Sequence, residues 1–320
     1  MKDAIHPIKI GISACLLGEP VRFDGGHKRH DFINDALSHY FSFVPVCPEV
    51  AIGLGIPREP IRLVATAEAV RAVGTRNPGM DVTAALRDYA AQTAVGLDDI
   101  SGYIFKKGSP SCGMERVKVY HDNGMPQAQG RGIYADELLR RMPLLPAEEE
   151  GRLEDPVLRE NFIERVFIYH RWQRLSRATM TPAALVAFHT EHKYAILSRG
   201  QTAYRQLGRL VARAGDRNTE FATLCDEYIA LLMRTLATPA KRGHHANVLM
   251  HMLGYLKNQL ESQDKQDLLR HIDDYRRGIV PLVVPLTLLN HFLRKHPDRY
   301  LQRQRYLLPY PEQLSLRNSI

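Results

Sequence analysis

The chain has 320 residues, 44% hydrophobic and 24% charged, the composition of a folded soluble protein long enough for two domains with separate cores. Its formal net charge of +8 is uneven: residues 1–150 carry 17 Lys and Arg against 19 Asp and Glu, whereas residues 151–320 carry 26 against 16. Four widely spaced cysteines argue against a disulfide framework, and the lack of a long apolar run argues against a signal peptide or membrane span, so a cytoplasmic protein is expected.

In chain order, Ile8–Ser13 (IKIGIS) reads as a strand running into Cys15. Residues 31–40 predict an amphipathic segment with Phe32, Ala36, Leu37 and Tyr40 on one face. FVPV predicts a second strand before Cys47, and Pro45 within it argues against a central place in a sheet. Asp81 is expected to cap a helix carrying Val82, Leu86 and Tyr89, and GYIFKK predicts a third strand ahead of Cys112. This alternation predicts an α/β domain over residues 1–145, with a parallel or mixed sheet and flanking helices. Residues 143–156 (PLLPAEEEGRLEDP), rich in proline and acid, read as the boundary.

Residues 155–320 predict an all-α bundle. Asp155-Pro156 and Thr181-Pro182 are helix-start signals, and Phe221, Leu224, Cys225, Tyr228 and Leu232 share one apolar face, where Cys225 reads as a small buried hydrophobe. A basic domain of this kind suits a polyanion, above all nucleic acid. Arg205, Arg209 and Arg213 recur every four residues on one helix face, and Lys241 and Arg242 open another helix; either is a candidate phosphate contact or an ordinary wet surface.

Three cysteines, Cys15, Cys47 and Cys112, each follow a strand. If those strands are parallel, their carboxyl ends share the edge where α/β folds bind ligands. Three thiols converging there would suit a metal cluster with one metal position open; unrelated core cysteines are the competing reading. No CxxC or HxxxH pair accompanies them, as a zinc site usually requires. Gly25, Gly26 and Gly108 would allow close backbone approach to a bound group, or simply punctuate loops. His27 and His30 read as solvated loop histidines.

The segments CLLGEPVRFDGG, CPEVAIGLGIPREP and KKGSPSCG together resemble the thiouracil desulfidase family, and the likeness covers residues 8–142 in order. Residues 155–320 look like the all-helical domain often found beside it, and the fusion is similar to bacterial desulfidases that remove sulfur from 4-thiouridine in tRNA. The resemblance implies a 4Fe-4S cluster held by Cys15, Cys47 and Cys112 with one iron open. It also implies Glu49 and Ser109 as catalytic groups, with Arg22, Asp24 and Arg58 lining the pocket. Ser111, beside Cys112, is expected to bond local backbone or cluster sulfur. The implied reaction is non-redox hydrolysis of a C=S bond, which requires no nicotinamide, and the implied partner is tRNA carrying 4-thiouridine. Two alternatives stand beside it: the same chemistry on free thiouracil or thionucleosides, and a non-enzymatic RNA-binding protein with a structural metal. The sequence leaves the oligomeric state open.

Overall fold

Two units make up the chain, Met1–Glu154 and Asp155–Ile320; the computed structural model describes residues 7–121, 124–217 and 220–320. The N-terminal unit runs β1 (Ile8–Ser13), β2 (Phe41–Val46), α1 (Pro48–Ala51), β3 (Ile61–Ala65), β4 (Val70–Gly74), α2 (Thr83–Gly96), β5 (Tyr103–Phe105), β6 (Val117–Tyr120), β7 (Pro126–Gly130), α3 (Ile133–Arg141) and β8 (Ala147–Glu149). Its main sheet has the order β2-β1-β5-β8, and every neighbouring pair is parallel. The interior strand β1 buries Ile8, Ile10 and Ile12 on one face; on the other, Lys9 is exposed while Gly11 and Ser13 are buried. Gly11 lies against the ring of Tyr103 on β5, where an added Cβ would stand 2.4 Å from the ring, so only glycine lets the two strands pack there. Pro45, paired with Ile12, lies on the edge strand β2, where its missing N–H costs no ladder bond.

A second four-stranded sheet, β4-β3-β6-β7, was not anticipated from sequence. Its β3–β4 hairpin closes through Thr66, whose amide and hydroxyl both donate to the Ala69 carbonyl at 2.9 Å. Other local expectations shift. Residues 31–40 form a wide π turn (Phe32–Ala36) followed by a 3-10 turn (Leu37–His39), and Ile33 and Leu37 are the buried pair. Arg29 pairs with Asp31 and Asp35 on the outer side, which leaves Ile33 and Leu37, four apart, as the inward stripe. Asp81 precedes the flanking residue Val82 by one, yet its carboxylate still accepts from the first helical amide, Thr83, at 2.8 Å.

The units divide after Glu154, within the stretch read as a boundary, but Ala147–Glu149 of that stretch form β8 of the sheet. Glu148, Glu149 and Glu150 are buried, and each has a partner. Glu148 pairs with Arg152 at 2.6 Å, Glu149 accepts from the Met114 amide at 2.7 Å, and Glu150 pairs with Lys106 and accepts from the Lys107 amide at 2.7 Å. Burial of such a run is tolerable because every carboxylate is hydrogen-bonded.

The C-terminal unit contains α4 (Pro156–Arg177), α5 (Pro182–Leu197), α6 (Gln201–Ala212), α7 (Phe221–Leu236), α8 (Arg242–Leu256), α9 (Ser262–Arg276), α10 (Val283–Lys295) and α11 (Arg299–Gln302), with no strand among its described residues. The expected caps form: Asp155 accepts from the Val157 and Leu158 amides, and Thr181 from Ala184. Leu249, Met252, Leu256, Leu268 and Leu289 centre one apolar core, and Leu224, Cys225, Tyr228 and Leu232 are buried along α7. A charged layer also lies inside the unit. Glu160 and Glu164 of α4 face Arg199 and Arg317, with Arg199 Nη2 at 2.5 Å from Glu164 and Arg317 Nε at 3.2 Å from Glu160. Among the described residues, no helix is long and apolar enough to cross a membrane.

Candidate active site

The parallel sheet reverses its order between β1 and β5, and a crevice opens at the carboxyl ends of these strands. Cys15 leaves β1 in a short 3-10 turn (Ala14–Leu17), Cys47 follows β2 and flanks α1, and Cys112 sits in the loop after β5. All three are free thiols and line one cavity of about 350 Å³, together with Glu49, Ser109, Ser111, Arg22 and Arg58. The long loop after β1 is fastened over this crevice: the Lys28 amide donates to the Cys15 carbonyl at 2.8 Å, and the Arg58 amide to Phe23 at 2.9 Å.

A directed chain of hydrogen bonds crosses the cavity wall. Arg58, 5% exposed, clamps one carboxylate oxygen of Glu49, with Nε at 2.9 Å and Nη2 at 2.8 Å from Oε2. The other oxygen, Oε1, accepts from the Ser111 hydroxyl at 2.6 Å. Ser111 has one proton and gives it to Glu49, so Ser109 is the donor in the 2.9 Å contact between the two hydroxyls. Ser109 Oγ in turn accepts from the amides of Ser111 at 3.3 Å and Cys112 at 3.1 Å, a local turn that fixes its position. Two glycines make this loop possible. Gly108 has φ +69, and an added Cβ on Gly132 would stand 2.4 Å from the Ser111 carbonyl oxygen.

Burial pushes all three thiols up, Cys15 to about 11, with the neighbouring carboxylate of Glu49 adding to the rise at Cys47 and Cys112. Among the described residues no three His, Cys, Asp or Glu side chains close on a point that would hold a single metal ion. Thiolates bound to separate irons of a cluster stand further apart than ligands of one ion. Three soft sulfur donors around one cavity without an imidazole among its walls therefore fit an iron-sulfur cluster better than a lone zinc.

Of the residues singled out from sequence, Cys15, Cys47, Cys112, Glu49, Ser109, Arg22 and Arg58 line the cavity, whereas Asp24 does not. The Asp24 carboxylate accepts from the Gly26 amide at 3.0 Å and lies 3.6 Å from Arg22. Ser111 departs from expectation: it stands 3.6 Å from the Cys112 sulfur, but its main bond is to Glu49. Sequence reasoning also passed over Phe23, 38% exposed on the cavity wall with the Arg22 guanidinium 5.4 Å from its ring, and over Lys106 and Lys107. The run KKGSPSCG held the signal for Ser111 and both lysines, since each lies within six residues of Cys112. His30 is not solvated but sits 2.9 Å from Glu154.

In the C-terminal unit, Arg205 and Arg209 on α6 and Arg213 at its end are exposed, as is Lys241 before α8. Arg242 is engaged locally: its guanidinium donates to the Tyr275 carbonyl at 3.2 Å and lies over the Tyr275 ring.

Comparison with known proteins places this geometry in context. The family described as 2-thiouracil desulfurase matches residues 10–150, and a second, described only as a protein of unknown function, matches residues 193–311. The uncharacterized protein YbgA of Escherichia coli is 36% identical over 158 residues, 48% of this chain and 91% of YbgA. The uncharacterized protein YbbK of Bacillus subtilis is 33% identical over 113 residues, 32% of this chain and 71% of YbbK. A solved structure, the [4Fe-4S]-dependent thiouracil desulfidase TudS, is 36% identical and matches 46% of this chain and 94% of its own, with a TM-score of 0.37.

Proposed function

The chain belongs to the 2-thiouracil desulfurase family, and on that premise we propose that it is an iron-sulfur-dependent desulfidase that converts 4-thiouridine in tRNA to uridine and releases sulfide. The observation that carries this reading is the convergence of Cys15, Cys47 and Cys112 on one cavity wall with the Glu49–Ser111–Ser109 chain. The three cysteines would hold a 4Fe-4S cluster, which when bound supplies an open iron as a Lewis acid toward a soft thiocarbonyl sulfur.

The chain's own residues supply the rest. Arg58 fixes Oε2 of Glu49, so the carboxylate presents Oε1 toward the cavity as a general base for water, help worth about 10² to 10⁴ in rate. The Ser109 and Ser111 hydroxyls donate in turn toward Glu49, so they form a relay that carries a proton to the carboxylate, which holds it, and back along the same path. The Phe23 ring, exposed on the wall, offers a stacking face for the pyrimidine. The net change replaces sulfur by oxygen from water at one oxidation level, so no electron donor enters the balance. The excess of 26 basic over 16 acidic residues beyond position 150 supports RNA as the carrier of the base.

A second reading, turnover of free thiouracil or its nucleosides, is favoured by the printed activity of TudS. Anaerobic reconstitution with iron and sulfide, followed by sulfide release from thiolated tRNA and from free 4-thiouridine at matched concentrations, separates the two. Release from tRNA at the higher kcat/KM supports the first reading; release from the free compound alone supports the second.

A further inference from the structure

A group of tyrosines runs from the apolar core of the helical unit to its surface. Tyr255 on α8 is 47% exposed, and its ring stacks on Tyr300 of α11 with centroids 5.3 Å apart and planes at 21°. Tyr300 meets the buried Tyr194 of α5 edge-on at 6.2 Å. Beside them, the Lys193 ammonium lies 5.6 Å from the ring of Tyr204 on α6. Three helices thus contribute one tyrosine each to a layered stack whose inner ring is fixed in the core. One face of Tyr255 is covered by Tyr300, so its exposure belongs to the opposite face and edge.

Large exposed aromatics that are held rigid by a second ring are suited to receive another flat π system. The surroundings indicate which kind. His251, one turn before Tyr255, is exposed, as are Lys257 and Arg299. Among the described residues no carboxylate forms an ion pair with Lys193, whose ammonium lies against the Tyr204 ring. Arg205 follows Tyr204 directly and opens the exposed Arg205, Arg209 and Arg213 stripe on α6. Aromatic rings interleaved with cations on a basic unit are complementary to a single-stranded nucleic acid, whose bases stack while its phosphates meet the charge. An apolar protein partner would call for an apolar rim, which these neighbours do not provide.

We propose that Tyr255, backed by Tyr300 and flanked by Lys193, is a stacking platform for an unpaired nucleobase of the RNA that the helical unit binds. The inference rests on the reading of that unit as RNA-binding, and names where an unpaired loop or end nucleotide is held. Stacking on such a ring is sequence-tolerant, so the platform adds affinity and register without reading a base.

The test uses the full chain with a fluorescently labelled single-stranded oligonucleotide and, separately, unmodified tRNA, titrated at several salt concentrations. Tyr255→Ala weakens binding of both about 5- to 100-fold, Tyr255→Phe retains wild-type affinity because the ring remains, and the salt slope is unchanged in both variants because no phosphate contact is lost. Unchanged fluorescence of Trp172 serves as the control for folding. Wild-type affinity in Tyr255→Ala overturns the platform while leaving RNA binding intact; absence of RNA binding by the wild-type chain overturns the RNA reading itself, and the platform with it. A change of oligomeric state in Tyr255→Ala at unaltered RNA affinity assigns the face to self-association and equally overturns the proposal.

Discussion

Both units bury carboxylates beside guanidinium groups, but the two arrangements differ in where their remaining polar capacity points. In the C-terminal unit, Glu160 and Glu164 face Arg199 and Arg317, two charges of each sign, and Tyr310 adds a hydroxyl bond to Glu160 at 3.0 Å. The set balances its charges inside the unit and ties α4 to distant parts of the chain, although Glu164 Oε1, Arg199 Nε and Arg317 Nη2 make no hydrogen bond among the described residues. In the N-terminal unit, Arg58 satisfies one oxygen of Glu49, and the other belongs to a serine chain on an open cavity lined by three thiols. A charge-balanced ion network enclosed within a unit holds a fold; one whose last partner faces a cavity is poised to take or give a proton.

The largest effect expected from breaking this contrast is at the thiols. Cys112→Ala should abolish iron retention, the visible absorption of the reconstituted protein and sulfide release together, while the thermal transition of the helical unit, followed through Trp172, stays in place. Retention of the cluster in that variant would remove Cys112 from the ligand set. Glu49→Gln comes next: full absorption, with the rate lowered about 10² to 10⁴-fold. A colourless Glu49→Gln protein would mean that Glu49 supports the cluster rather than the proton transfer.

In the enclosed network, Arg317→Met leaves two carboxylates opposite one cation and should destabilise the helical unit by about 3 to 5 kcal/mol, the usual cost of stranding a buried charge. Denaturant unfolding read through Trp172 measures this, with turnover of a free thionucleoside unchanged. A loss below about 1 kcal/mol would show that the network does not hold the helical unit together. Ser111→Ala is smaller. It removes one hydrogen bond to a charged oxygen, so kcat should fall about 10- to 100-fold at constant KM. A change in KM alone would assign Ser111 to binding.

The smallest effect is one of pH. Burial lowers His189 to about 4 and His192 to about 3, and drives His245 down as well. Each is neutral in the fold but takes up a proton below about 6.5 when unfolded, so the unfolded state binds more protons across that interval and stability falls with pH. Glu160, raised by burial and by Glu164, acts in the opposite sense, one group against these three and His170, which burial also lowers. The Trp172 unfolding midpoint should therefore drop steadily from pH 6.5 to 4. A flat profile would show that the histidines are not buried as neutral groups.

How much of this was legible in the sequence depended on whether a residue's partners lie nearby. Strand β1 was readable because Ile8, Ile10 and Ile12 recur at every second residue, the period of a strand face, and the caps at Asp155 and Thr181 because their partners lie within three residues. Strand β8 was not, since its glutamates look like a solvated boundary until Lys106 and Arg152 are brought to them. The cysteines were visible as a set through the strands they follow. Ser111 was misjudged because its partner Glu49 is 62 positions away, a separation no local pattern reports.

The central claim is tested most directly by counting atoms. The anaerobically reconstituted chain, incubated with thiolated tRNA and no reductant, should release one sulfide for each 4-thiouridine lost and leave uridine in its place. Failure to desulfurate any thiocarbonyl substrate, or turnover only when an electron donor is added, would contradict the account.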